Sequence, residues 1–338
     1  MSPCIYHLVD TSCFAGIESS LVNHCELLQA EKINVKCIFF KYYPSNPLYS
    51  KLDKLNIEYQ FIENFMNLLT FIKKLDTSDV LHTHGYKAGI LGRTLSKLLN
   101  KTCVSTYHAG EQGSGKLKLY NDIDKYTAFM STNFVVSNKL KPQLNGSSSL
   151  FNNFVLPKAF HDKKSQAITR VSFIGRLSSE KGPDIFIQLA SHFQKNSKLA
   201  FNLFGDGPER HKLEKNLPNN CHIRGFTSDM DKVWHNSDIL VISSREEGLP
   251  MVAIEAMMSG VLVVSTKVGQ LDKLITSHKT GYLAEQISAL ALADCISEWL
   301  RLDNCIQQDM IRNAYKLVLK EYSGQNQAKQ LKQAYCLA

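Results

Sequence analysis

Short apolar runs alternate with amphipathic stretches along the whole chain. In the first half, the runs Cys4–Val9, Val35–Phe40, Val80–Thr83, Thr102–Tyr107 and Phe134–Ser137 read as strands, and helical spacing covers Glu18–Ala30, Lys87–Leu99 and Leu117–Met130 between them. Around Gly146–Ser149 and Pro157–Gln166 the chain turns polar and loses its period, which marks a linker. The alternation then restarts with strands Val171–Ile174, Ala200–Phe204, His222–Arg224, Ile239–Ser243 and Val261–Ser265, and helices Pro183–Gln194, Pro208–Lys215 and Pro250–Met258. Such alternation predicts an α/β protein with two Rossmann-like domains, each a parallel sheet with helices on both faces. The expected boundaries are 1–160 and 165–320, followed by a tail over 321–338.

Composition narrows the class. A chain of 338 residues can bury two cores, and 44% hydrophobic with 21% charged content is that of a soluble globular protein. No apolar run approaches the roughly 20 residues that span a bilayer. The start, Met1 to Asp10, lacks the basic and apolar regions of a signal peptide. Nine cysteines without a C-x-x-C pair read as reduced thiols in a cytoplasmic protein. Residues 1–165 carry 19 Lys+Arg against 13 Asp+Glu, a balance of +6, and the remainder carries +2. That excess suits an anionic lipid surface, a phosphorylated substrate or nucleic acid, and equally a lysine-rich solvated surface.

Parallel sheets bind ligands beyond the carboxyl ends of their strands. After the first strand come Asp10, Thr11 and Ser12, with Gly16 following; His84, Gly85 and Tyr86 follow the third, and His108, Ala109 and Gly110 the fourth. In the second half Gly175-Arg176 with Lys181-Gly182, Gly205-Asp206-Gly207, Gly225-Phe226 and Ser244 to Glu247 occupy the same places. Two such edges facing each other would form a cleft. The stretch Ile239–Gly260 is the most informative: an apolar strand, a polar loop ending in Glu247-Gly248, Pro250 at the expected first helical position, and an apolar helix holding Glu255. A helix start of this kind binds anions, and a buried Glu255 would require a partner. Arg176 and Lys181 could hold a diphosphate without any metal, as opposed to a surface ion pair with Glu180. Of the two strand-end histidines, His108 is the functional candidate because Ala109 and Gly110 permit close approach.

Other patterns are discounted. Gly110 to Leu117 matches most of a Walker A loop, but Leu117 stands where a magnesium-binding hydroxyl is needed. The pairs Asp122/Asp124 and Asp229/Asp231 are read as solvated helix or loop faces rather than metal sites, and G-x-G-x-x-G is absent.

Taken together, Gly175-Arg-Leu-Ser-Ser-Glu-Lys181-Gly182, Gly205-Asp-Gly-Pro-Glu-Arg210 and Glu247-Gly-Leu-Pro-Met-Val-Ala-Ile-Glu255 resemble the family 4 retaining glycosyltransferases of the GT-B fold, in order and spacing. His82-Thr-His84 and Tyr107-His108-Ala-Gly are the weaker matching pieces in the first half. The resemblance implies a nucleotide-diphosphate sugar held mainly by residues 165–310, an acceptor on the first domain and no metal. It implies that Arg176, Lys181 and the backbone around Pro250, Met251 and Val252 hold the diphosphate, with Gly205 in the matching glycine turn. Glu255 would take the ribose, Glu247 the donor sugar, and Gly225-Phe226 the base. Gly16 would approach the phosphate and His108 would hydrogen-bond the transferred sugar. The sequence departs from the family at Ala15, where a second glycine is usual, and at Asn152-Asn153-Phe154-Val155 near the linker. The stretch Gln325–Tyr335 would return to the first domain. The expected activity is transfer of a sugar to a hydroxyl of a lipid-linked bacterial surface glycan, at the inner face of the membrane and with no nucleic-acid partner. The alternatives are a nucleotide-sugar epimerase of the same fold and a non-catalytic glycan- or nucleotide-binding protein.

Overall fold

The computed structural model describes residues 3–11, 16–44, 46–108, 115–160 and 167–337. The chain forms two compact units, one of residues 1–156 with 324–338 and the other of residues 157–323.

The first unit is built on seven strands: β1 (Cys4–Val9), β2 (Asn34–Phe39), β3 (Glu58–Phe61), β4 (Val80–His84), β5 (Thr102–Tyr107), β6 (Thr132–Val135) and β7 (Ser148–Leu150). Every pair is parallel and the order is β3-β2-β1-β4-β5-β6-β7. Alternate side chains of β1 explain its largely apolar pattern, interrupted only by the buried His7. Ile5 and Val9 join one core with Leu21, Cys25 and Leu28 of the helix Gly16–Ala30, whereas Leu8 joins another with Leu68, Ile72, Ala88 and Leu95. A strand covered on both faces has no polar side to show. The last helix, Gln325–Ala334, contributes Ala328 and Leu331 to the first of these cores, with Tyr335 just beyond it. Gln327 and Gln330 donate to the carbonyls of Asn152 and Leu150.

The second unit carries β8 (Thr169–Ile174), β9 (Leu199–Phe204), β10 (Cys221–Gly225), β11 (Ile239–Ile242), β12 (Leu262–Thr266) and β13 (Tyr282–Ala284), parallel throughout, in the order β10-β9-β8-β11-β12-β13. All four residues of β11 are buried. In each sheet the strand order reverses once, between β1 and β4 and between β8 and β11. Such a reversal opens a crevice at the carboxyl edge of the two neighbours.

Three expectations are corrected. The stretch 146–149 is not linker, because Ser148–Leu150 pairs with β6 as an edge strand. Asp124 is not solvated: it is buried and paired with Arg93, whose Nη2 donates to Asp124 Oδ1 at 2.5 Å and to the Asp124 carbonyl at 2.8 Å. Pro250 precedes the helix Met251–Met258 in an extended conformation, φ −72° and ψ 127°, so it caps the helix and Met251 begins it. Asp229 accepts from the Lys232 N–H as the cap of the helix Met230–His235. The Walker-like stretch lies mostly outside the described residues, and its Leu117 is exposed on the helix Lys116–Tyr126. The eight described cysteines are free thiols. No helix among the described residues is long and apolar enough to cross a membrane.

Candidate functional site

The second unit gathers its sequence motifs at the β8/β11 reversal. The segment after β8 runs from Gly175 through the exposed Arg176 to a 3-10 turn, Ser179–Lys181, and then into the helix Pro183–His192. Gly182 between them sits at φ +63°, and a Cβ there would lie 2.1 Å from the Ser243 carbonyl. Only glycine allows this close approach and this backbone conformation. The Ser243 hydroxyl donates to the Gly182 carbonyl at 2.7 Å, so the loop that follows β8 is tied directly to the end of β11.

This junction brings Lys181 to Glu247. The Lys181 ammonium donates to both carboxylate oxygens at 2.8 Å, and the Ser244 hydroxyl donates to Oε1 at 2.7 Å. The Glu247 side chain is 7% exposed and that of Lys181 32%, so the carboxylate is enclosed while the ammonium still reaches solvent. Lys181 therefore pairs across the strand ends with Glu247, while Glu180, bonded by the Ser178 hydroxyl, also feels the charges of Arg176 and Lys181. An ammonium has three N–H donors; two face Glu247.

A second ion pair fixes the same loop from behind. Arg245 donates to Asp184 Oδ1 at 2.9 Å and Oδ2 at 2.6 Å, to the Ser179 carbonyl at 2.7 Å, and through its backbone N–H to the Glu180 carbonyl at 2.8 Å. The Arg245 hydrogen bonds hold the Asp184 carboxyl below its ordinary pKa, against the opposing pull of burial. Bidentate pairs of this sort are directional as well as strong. Arg245, Asp184 and Ser244 were not singled out from the sequence. Only their position in the polar run after the strand marked Ser244 and Arg245, and nothing local joined them to Asp184.

The remaining predicted residues line the same edge. Gly205, at φ +142°, places its would-be Cβ 1.9 Å from the Gly175 carbonyl, and Gly207 places its own 2.5 Å from the Leu177 carbonyl. Backbone therefore stacks on backbone next to Arg176. Pro250, Met251 and Val252 form the start of the helix Met251–Met258, whose first N–H groups have no intrahelical acceptor. Glu255 lies one turn in and is half-buried, which corrects the expectation of a buried carboxylate. Its flanking residues Ile254 and Ala256 are buried. Gly225 ends β10 at φ +76°, and Phe226 after it is 52% exposed, an aromatic face open to a ligand. Arg176, Lys181 and the first N–H groups of the helix Met251–Met258 give this edge donors that suit an anion, and Glu247 and Glu255 add carboxylate acceptors.

In the first unit, Gly16 begins the helix Gly16–Ala30, is exposed, and has nothing within 4 Å of a would-be Cβ. His108 follows β5 and meets His84, with Nδ1 of His84 and Nε2 of His108 separated by 3.2 Å. Burial pushes the His108 imidazole down to about 4, so it is neutral near pH 7. Ala109 and Gly110, invoked for its accessibility, lie outside the described residues.

Comparison with known proteins places this geometry. Residues 159–317 match the family described as Glycosyl transferases group 1. The chain is 23% identical over 326 residues to the UDP-Gal:alpha-D-GlcNAc-diphosphoundecaprenol alpha-1,3-galactosyltransferase of Escherichia coli, covering 83% of this chain and 84% of that one. It is 28% identical over 178 residues to the poly(ribitol-phosphate) alpha-N-acetylglucosaminyltransferase of Staphylococcus aureus, covering 50% of this chain and 35% of the relative. The structure of Anabaena HepE in complex with UDP and glucose superposes with a TM-score of 0.81 at 16% identity, covering 99% of both chains. Two parallel α/β sheets and these likenesses together establish the fold and the enzyme class. The chain is a glycosyltransferase of the GT-B fold, and the match to the family described as Glycosyl transferases group 1 lies in its residues 159–317.

Proposed function

We propose that the chain is a family 4 type retaining glycosyltransferase that moves a sugar from a nucleotide-diphosphate sugar to a hydroxyl of a lipid-linked surface glycan. The observation that carries this reading is the pairing of Lys181 with Glu247 beside the N-terminus of the helix Met251–Met258. Arg176, the third N–H of Lys181 and the backbone at Met251 and Val252 hold the diphosphate, and they stabilise the charge that grows on it as the bond from the sugar's anomeric carbon to the phosphate oxygen breaks. Glu247 accepts from hydroxyls of the donor sugar, Glu255 from the ribose, and Phe226 stacks on the base. Gly205 keeps the diphosphate edge close-packed. The acceptor oxygen forms the new bond on the face the phosphate leaves, and its proton passes to a phosphate oxygen, so the configuration is retained without a metal. His108 hydrogen-bonds the transferred sugar and Gly16 leaves room for phosphate.

The lipid-linked acceptor is supported by the diphosphoundecaprenol named for the Escherichia coli relative, and a uridine donor by that relative and by HepE. The excess of basic residues in the first half suits docking on an anionic cytoplasmic membrane face. Incubation of the protein with UDP-, GDP- or ADP-sugars and extracted lipid-linked glycans tests this proposal. A glycan extended through an axial-type, retained linkage with release of nucleoside diphosphate supports it, whereas inversion or an epimerised free donor overturns it.

A further inference from the structure

Outside the donor site, the core of the first unit holds four histidines in one place. His7 comes from β1, His82 and His84 from the neighbouring β4, and His24 from the helix Gly16–Ala30 that covers them. The sequence explains the convergence. His7 and His82 are register partners on adjacent strands, His84 is two residues further along the same face, and His24 lies in the helix whose Leu21, Cys25 and Leu28 pack on that face. The rings crowd together: centroid separations are 4.5 Å for His82–His84, 5.0 Å for His7–His82 and 5.7 Å for both His24–His82 and His24–His84. All four side chains are essentially inaccessible, at 0–1% exposure.

Ordinary core histidines satisfy their ring nitrogens, and these do so only in part. His7 Nδ1 and His84 Nε2 share one hydrogen bond at 2.9 Å, and His82 is held by Thr106 at 2.8 Å and the Tyr335 hydroxyl at 2.6 Å. Nε2 of His7 and both nitrogens of His24 have no partner. Three orphaned ring nitrogens in a sealed core are the kind of exception that calls for an unseen ligand. One nitrogen from each of the four rings lies within 4.8 Å of one from every other. Around a tetrahedral ion with bonds of about 2.0–2.1 Å, ligand nitrogens stand about 3.4 Å apart, so modest ring rotations close the set.

We propose that His7, His24, His82 and His84 form a structural site for a late first-row transition-metal ion of the Zn2+ type. Imidazole nitrogen is the preferred donor of such ions, and an all-imidazole set without carboxylate selects against magnesium and calcium. The burial that keeps each ring uncharged also keeps it competent to ligate. Supporting hydrogen bonds of the kind metal-bound imidazoles use are in place: a nitrogen of His82 reaches Thr106 or Tyr335, and Nδ1 of His84 reaches His108. The ion would tie β1 and β4 to the helix above them and, through His82 and Tyr335, to the last helix. It would also fix the proton of His84 on Nδ1, so that His84 donates to His108. The site adjoins His108 through His84, but its test reads metal retention and does not depend on donor binding.

The test uses the full chain without a histidine tag. The protein is stripped with a chelator, incubated with Zn2+ or Co2+, desalted and measured by mass spectrometry of the metal, visible absorption and thermal melting. The expected result is one ion retained per chain, visible cobalt bands of tetrahedral nitrogen ligation, and a raised melting midpoint. His24→Phe combined with His7→Leu should abolish retention while leaving His192, His211, His222, His235 and His278 in place. If that variant does not fold, the cobalt spectrum of the unaltered chain decides alone. Failure of the unaltered chain to retain Zn2+ or Co2+, a spectrum without tetrahedral bands, or retention unchanged in a folded double variant overturns the proposal.

Discussion

The Lys181 ammonium lies 2.8 Å from each carboxylate oxygen of Glu247, across the ends of two neighbouring strands. The two residues are 66 positions apart, and the close approach of Gly182 to Ser243 is what lets them meet. The Glu247 carboxylate is almost wholly enclosed. Removing Lys181 alone, as Lys181→Met, leaves that carboxylate with only Ser244 and should cost about 1–3 kcal/mol in urea unfolding. Lys181→Met with Glu247→Leu should cost less than the two single changes added, because the orphaned charge disappears with its partner. Strict additivity would show that the pair is not energetically coupled.

Arg245 is expected to act on the donor site without touching donor. Its bonds to Asp184 and Ser179 hold the loop that carries Lys181. Arg245→Ala should lower kcat/KM for the donor by about tenfold to a hundredfold through misplacement of Lys181. The change should also be visible in stability against pH. Asp184 has its pKa lowered by Arg245, so the unfolded chain binds the extra proton as pH falls, and the stabilisation present above about 3.8 is lost below it. Urea midpoints between pH 6 and 3 should fall more steeply for the unaltered protein than for the Arg245→Ala variant.

The buried histidines predict an acid-labile first unit in metal-free solution. Desolvation lowers His7 to about 3 and His108 to about 4, and lowers His24, His82 and His84 well below 6.5. Each of these groups binds its proton more readily when unfolded, so stability is complete above 6.5 and declines as pH falls towards the folded values. Melting by calorimetry in the presence of chelator should show the midpoint dropping continuously from pH 6.5 to 4. His24→Phe should reduce the slope, since it removes one proton uptake. A midpoint flat over this range would contradict the burial of neutral imidazoles.

Glycines at the two sheet edges should respond in opposite ways. At Gly205 a methyl group would sit 1.9 Å from a carbonyl oxygen in a backbone conformation that other residues rarely adopt. Gly205→Ala should lower the melting midpoint and weaken donor binding together. Gly16→Ala meets nothing within 4 Å and should leave the midpoint unchanged. Any loss of transfer in Gly16→Ala then measures crowding of the ligand, not of the fold.

Much of this architecture is legible in the sequence because the central strands are covered on both faces. Cys4–Val9 and Thr102–Tyr107 are found at their predicted bounds, since each short run is closed off by polar residues, Asp10 after the first and Lys101 and His108 around the second. Edge strands carry no such signal. Glu58–Phe61 alternates exposed and half-buried residues, Ser148–Leu150 is nearly all polar, and neither was anticipated; the latter lay in the expected linker. The helices Leu48–Lys54, Phe65–Lys74, Ala289–Arg301 and Asn304–Glu321 and the strand Tyr282–Ala284 were also not anticipated. At the carboxyl edge of the second sheet, Arg176, Lys181, Glu247 and Glu255 were picked out from the sequence by their places after strands. Their partnerships were not, because Lys181 with Glu247 and Arg245 with Asp184 are joined only by tertiary packing. Asp124 shows the same limit: a D-x-D pair reads as solvent-facing until the fold supplies Arg93. The histidine cluster was half visible, as His82-Thr-His84, whereas His7 and His24 join it only through sheet register and helix packing.

The central claim, that Lys181 and Glu247 bind and activate a nucleotide-diphosphate sugar, is tested most directly by transfer measured on folded variants. Radiolabelled sugar incorporation from the best of the UDP-, GDP- and ADP-sugars into lipid-linked glycan would be compared for the unaltered chain, Lys181→Ala and Glu247→Ala. Both variants should fold, as judged by circular dichroism, and each should lose transfer by about 10²-fold or more, the scale expected when a group stabilising transition-state charge or orienting the reacting sugar is removed. Full transfer in either variant would contradict the account.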